Sequence, residues 1–317
     1  MSEQNYRLRE KRFLRVKDFF AAYGGELLLK RLVGEKKAIR AVSQRQALMA
    51  GLVFLGFTKN VGAGQILIIG PNEQDYLQSL SPEEKRKKIR AVLLHKPAAL
   101  ILADGQKPLK ELFSACLKQA APLFVSALGA LELQERLFLV LSEPLAPSAG
   151  LPGTLVEIFG LGVLLKGESG VGKSEIALGL LERGHRLIAD DLVTVKRPFL
   201  ALKGYSHAFL PHLLWVRPLG PLNMAGLKGA AAVSPAVSID LAIDLRNGKP
   251  ADFFSEEYFF EVLGFRLPCY PLEVKPGREL VLVIESLVLN HRLKQLGGKT
   301  RAALKDQLHR AIEGGKA

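Results

Sequence analysis

Residues 162–195 read GVLLKGESGVGKSEIALGLLERGHRLIADDLVTV, and the fold follows from how this stretch divides. GVLLK is a short apolar run with strand character. Gly167-Glu168-Ser169-Gly170-Val171-Gly172-Lys173-Ser174 matches G-x-x-x-x-G-K-[ST], the P-loop pattern. From Ser174 to Arg183, Ile176, Ala177, Leu180 and Leu181 recur on one side, with Gly184 as a stop, which predicts a helix. HRLIADD, residues 185–191, then predicts a second apolar strand that ends in two carboxylates. A strand, a glycine turn, a helix and a strand in succession make an α/β unit.

Each residue type in the loop has a physical reason. Gly170 and Gly172 let main-chain N–H groups turn inward around phosphate oxygens. The helix N-terminus adds a favourable dipole at the same place. Lys173 is a flexible cation able to reach the β- and γ-phosphates of a nucleotide, and Ser174 offers a hydroxyl to Mg²⁺. Asp190 and Asp191 suit two uses beside a P-loop: holding Mg²⁺, directly or through water, and accepting the proton of an attacking hydroxyl. The bland alternatives are a structural glycine turn and a solvated turn with an N-capping Asp.

Working outward, 317 residues at 48% hydrophobic content suit two domains with sizeable cores and exclude disorder, collagen and a disulfide scaffold. The segment 1–143 reads as a small α/β domain. Val16 to Tyr23 has helical recurrence, ILIIG and AALILAD read as buried strands, and Ser81-Pro82-Glu83-Glu84 is a helix start. Residues 144–150, PLAPSAG, read as a linker, and 151–317 as the domain that carries the P-loop. From about Glu285 to Glu313 the tail reads as a basic helix broken at Gly297-Gly298.

Lys and Arg number 44 against 31 Asp and Glu, a net charge of +13 that favours anionic partners. The charge runs near both ends read as solvated faces or protein-docking surfaces; they lack the interleaved aromatics of nucleic-acid binding. Six histidines form no ligand pattern, so no transition-metal site is expected. Cys116 and Cys269 read as idle thiols of a reducing compartment. The absence of an apolar h-region and of a membrane span points to a cytoplasmic protein.

The run Gly-Lys-Ser-Glu, then Arg183-Gly184-His185-Arg186-Leu187, then Asp190-Asp191, resembles the P-loop region of the bifunctional HPr kinase/phosphorylase family. LPHLLWVRPLGPLNMAGLKGAAAV, residues 210–233, is similar to that family's second signature, and PGRELVLVIESLVLNHRLKQLG to its C-terminal stretch. The resemblance implies an ATP-dependent kinase that phosphorylates a serine of HPr, a small carrier of the sugar phosphotransferase system. It also implies the reverse step, in which phosphate accepts the phosphoryl group and pyrophosphate leaves. A catalytic domain like the nucleotide domain of phosphoenolpyruvate carboxykinase and a hexameric assembly are implied with it. Carried over by position, Asp191 is the proton acceptor forward and donor in reverse, and Lys173 contacts phosphates. Ser174 binds Mg²⁺, with Asp190 a second candidate, and the loop from Val274 to Glu279 serves dephosphorylation.

The departures fall near the chemistry. Pro152 stands before Gly153 where the family has His, and Trp215 where it has a Mg²⁺-binding Glu. Pro218 and Pro221 imply an altered loop path. Arg246 and Arg266 flank a shortened loop without matching the family's catalytic Arg, and Glu279 replaces Asn. Two further readings therefore stand beside the first: a P-loop kinase of another hydroxylated substrate, and a nucleotide-binding regulator without catalysis.

Overall fold

The computed structural model describes residues 7–8, 13–34, 40–59, 61–207, 211–248, 258–275 and 277–297. The chain divides into two compact units, Glu10–Pro147 and a second made of Met1–Arg9 with Ser148–Ala317.

The first unit is an α/β sheet of five strands in the order Leu29–Val33, Leu123–Ser126, Ala99–Leu102, Ile66–Ile69 and Leu48–Met49. The last four run parallel to their neighbours and the first is an antiparallel edge. Every residue of Ile66–Ile69 and Ala99–Leu102 is buried, as expected for strands covered on both faces. Val16–Tyr23 is helical. The helix Pro82–Leu94 opens on a capping box in which Ser81 Oγ accepts from the Glu84 N–H and the Glu84 side chain returns the bond.

The second unit is built on a mixed sheet. Its strand order is Arg7–Leu8, Ser148–Pro152, Leu192–Lys196, Lys203–Tyr205, Ala236–Arg246, Leu161–Gly167, Thr154–Ile158 and Arg186–Ala189. Phe265–Glu273 also pairs in parallel with the long strand Ala236–Arg246. The P-loop strand Leu161–Gly167 lies parallel to that same strand, with Gly167 opposite Leu245. Side chains alternate between two cores. Val163, Leu165, Ile243 and Leu245 meet Ile176, Ala177, Leu180 and Leu181 of the P-loop helix in one core. Leu164, Ala242 and Cys269 enter the other.

One expectation is corrected here. Ser148–Pro152 is a strand, not linker, and it pairs with Leu192–Lys196 and with Arg7–Leu8. Ser148, Ala149 and Gly150 look like linker composition because they carry little bulk; Val193 and Val195 of the partner strand supply it. The sheet thereby takes Arg7–Leu8 out of the N-terminal unit. The C-terminal helix runs Leu280–Gln295; Gly298 and the basic residues Lys299, Arg301 and Lys305 lie outside the described residues. Both cysteines are buried and unpaired, and burial pushes the Cys116 thiol up to about 12 and that of Cys269 to about 11.

Candidate active site

The loop at the end of Leu161–Gly167 turns into the helix Lys173–Glu182. Gly170 and Gly172 take φ of 83° and 98°, a backbone region that side chains rarely adopt. At Gly167 a Cβ would lie 2.5 Å from the Leu245 carbonyl oxygen, so the loop presses against the neighbouring strand. Val171 is buried in the core, so only its main chain faces the loop's concave side. Lys173 Nζ lies across the loop, donating to the carbonyl oxygens of Gly167 at 3.0 Å and Glu168 at 2.7 Å.

The carboxylate pair follows the strand Arg186–Ala189. Asp190 Oδ2 accepts from Ser174 Oγ at 2.9 Å and from the Trp215 N–H at 2.9 Å, while Oδ1 accepts from Thr154 Oγ1 at 2.6 Å. Asp191 sits at φ 61°, the centre of a tight turn in which the Leu192 N–H reaches the Asp190 carbonyl at 2.7 Å. Such a turn is uncommon for a residue other than glycine. Burial raises the Asp191 carboxyl above its ordinary value, the Asp190 charge raises it further, and Lys173 pulls it back.

A cleft of about 380 Å³ is lined by Ser169, Gly170, Gly172, Lys173, Ser174, Glu175, Asp191, Trp215 and Arg217. It gathers the loop and Asp191 in one place, with Asp190 behind Ser174. Pro152 is exposed opposite Leu192, next to Asp191, and the Gly153 N–H donates to the Asp191 carbonyl at 3.1 Å. Trp215 belongs to a hairpin, Leu213–Val216 with Gly220–Asn223, that turns through Arg217 and Pro218. Trp215 is 53% exposed and its contribution to Asp190 is a main-chain N–H, where the resemblance implied a carboxylate. Arg246 is tied to Asp244 at 2.7 Å and Arg266 lies over the Phe259 ring, so neither lines the cleft. Among the described residues Arg217 is the arginine that does. Glu279 precedes the helix Leu280–Gln295, and Pro276 of the adjoining loop lies outside the described residues.

Composition and spacing gave no role to Thr154. Its signal is positional: Leu155 pairs with Ala189, and continuing that antiparallel register sets Thr154 opposite Asp190. Glu285 was likewise silent in the sequence. It is buried, accepting from Arg183 Nε at 2.7 Å and meeting His185 Nε2 at 2.9 Å, and it fastens the end of the P-loop helix to the C-terminal helix. Arg183 and then His185 hold its carboxyl below the ordinary range.

Ser174 and Asp190 present oxygen donors 2.9 Å apart at the helix N-terminus, which fits Mg²⁺, a hard cation bound by one or two protein oxygens plus phosphates. Among the described residues no group of three or more His, Cys, Asp or Glu forms a metal cluster, and no helix is long and apolar enough to cross a membrane.

A glycine turn from parallel strand to helix, faced by a carboxylate pair at the end of Arg186–Ala189, one strand beyond Thr154–Ile158, is the geometry of a P-loop nucleotide-binding protein. The family HPr Serine kinase C-terminal domain matches residues 143–308, and HPr Serine kinase N terminus matches 14–141. The chain is 33% identical to an HPr kinase/phosphorylase of Geobacillus thermodenitrificans over 96% of its own length and 98% of the relative's. It is 34% identical to one of Shouchella clausii over 90% and 94%. The solved Hpr(Ser) kinase/phosphatase of Coxiella burnetii aligns with 46% of the chain and 97% of that structure, at 30% identity and a TM-score of 0.43. The protein belongs to the HPr kinase/phosphorylase family.

Proposed function

We propose that this protein uses ATP to phosphorylate a serine of an HPr-type phosphocarrier protein and removes that phosphoryl group by phosphorolysis. The observation that carries this reading is the shared cleft: the glycine loop, Lys173, Ser174 and Asp191 line one wall-to-wall space, with Asp190 bonded to Ser174. Main-chain N–H groups of the loop hold the phosphates, and Lys173, released from its two carbonyl partners, neutralises them. Ser174, with Asp190 behind it, would hold Mg²⁺, which supplies charge neutralisation at the phosphates. Asp191 accepts the proton as the serine oxygen attacks the γ-phosphorus in line and the bond to ADP breaks. In reverse, a phosphate oxygen attacks the phosphoserine phosphorus, the serine–oxygen–phosphorus bond breaks, Asp191 returns the proton to serine, and pyrophosphate leaves.

Trp215 favours one modification of this scheme. An exposed indole beside Asp191 shapes the acceptor side differently from a carboxylate, so acceptor preference is where this chain should depart from its relatives. The test is transfer from labelled ATP to purified HPr and to a panel of hydroxylated metabolites, with Asp191→Asn as control. Asp191→Asn should lose about 10²–10⁴-fold in turnover while still binding ATP. Unchanged turnover in that variant removes Asp191 from the chemistry; transfer to a metabolite but not to HPr replaces the acceptor.

A further inference from the structure

We propose that Thr154 is a positioning residue of the phosphate site: its hydroxyl orients Asp190 so that one carboxylate oxygen serves both Ser174 and the Trp215 hairpin. The proposal rests on the reading of residues 167–174 as a triphosphate cradle.

A carboxylate turns readily about its last torsion, which is broad and roughly two-fold. Asp190 therefore needs something to choose its rotamer. Thr154 is fully buried, and its Oγ1 donates to Asp190 Oδ1 at 2.6 Å, a short charge-assisted bond. With Oδ1 held, Oδ2 is presented to Ser174 Oγ and to the Trp215 N–H, both at 2.9 Å. The three donors come from three separate elements: the strand Thr154–Ile158, the P-loop helix Lys173–Glu182 and the hairpin strand Leu213–Val216. Asp190 is thus a hub, and Thr154 is the donor on the rigid sheet.

The neighbouring residue reinforces this. Gly153 donates its N–H to the Asp191 carbonyl, and a Cβ there would lie 2.7 Å from the Leu165 carbonyl oxygen. The dipeptide Gly153-Thr154 therefore holds the main chain of one aspartate and the side chain of the other. Three donors thus converge on the two oxygens of Asp190. Because the Ser174 proton points at Asp190, the lone pairs of that hydroxyl stay free for a hard cation that accompanies the phosphates.

The test compares Thr154→Val, which keeps the shape and removes the donor, with Thr154→Ser, which keeps the donor. One arm needs no ligand: amide exchange of Trp215 in the free protein. Protection should be lost in Thr154→Val and kept in Thr154→Ser. The second arm titrates Mg²⁺ at fixed ADP, reading the fluorescence of Trp215, the sole tryptophan. Thr154→Val should need about 10–100-fold more Mg²⁺ for the half-maximal change, the usual effect of removing a group that orients a metal ligand. Thr154→Ser should fall near the wild type, a rescue that a packing role would not give. A Thr154→Val protein with wild-type Trp215 protection and wild-type Mg²⁺ dependence overturns the proposal. A wild-type protein that ignores magnesium nucleotide overturns the cradle reading beneath it, a failure visible without any variant.

Discussion

Asp191 is where backbone geometry and charge meet. Its φ of 61° lies in a region that Asp and Asn tolerate better than most side chains. Asp191→Asn should therefore preserve the turn and isolate the effect of charge. The folded-state pKa of Asp191 is raised, so its contribution to stability is present at low pH and lost as pH rises through that value. Asp191→Asn should accordingly unfold at a slightly higher temperature than the wild type at neutral pH, in thermal scans without nucleotide. With Asp191 as the proposed proton acceptor, the same shift should move the acid limb of serine phosphorylation above the pH where an ordinary aspartate ionises, which a pH–rate profile checks. Lys173→Met removes a cation that opposes the shift, so the Asp191 carboxyl, followed by NMR titration, should ionise at still higher pH. A resonance that moves to lower pH contradicts the assignment. At this scale a local pattern pointed to Lys173, Ser174 and the pair Asp190-Asp191, and Lys173, Ser174 and Asp191 line one cleft. Thr154 and Glu285 stayed hidden because theirs depend on partners 36 and 102 positions away.

Among the elements, the P-loop helix is the one most tightly specified. Leu180 is fully buried in the core beneath the phosphate loop, and Leu180→Ala should cost about 2–5 kcal/mol in denaturant unfolding. Glu285 fastens the other end of that helix. Its folded-state pKa is lowered, so its stabilisation is present above the ordinary carboxylate range and lost as pH falls through the lowered value. Wild type and Glu285→Gln should differ in melting temperature at neutral pH and converge in acid; an equal gap at both would show that the ion pair contributes nothing. The helix and its two flanking strands were legible because apolar periodicity, glycine and carboxylates coincide within 34 residues. Ser148–Pro152 was not, because small residues reveal a strand only through the bulk of the strand beside them. The Trp215 hairpin was foreseen only as altered, since Pro218 and Pro221 announce a changed path without giving its course.

At the level of the whole molecule, the two units have separate cores. Nucleotide binds by the present reading to the unit containing Ser148–Ala317. Saturating magnesium ATP should raise the unfolding transition of that unit, by about 2.7 kcal/mol at 100 times Kd, and leave the transition of Glu10–Pro147 in place. Calorimetry of the full chain with and without nucleotide separates the two. Two α/β units were legible from alternating strand and helix signals; the exact seam was not, because a two-residue strand such as Arg7–Leu8 carries no periodicity. That short strand has a practical side. It covers the outer edge of Ser148–Pro152, so removing Arg7–Leu8 to make a neater expression product would leave a row of main-chain groups seeking a partner, and stickiness between copies would follow.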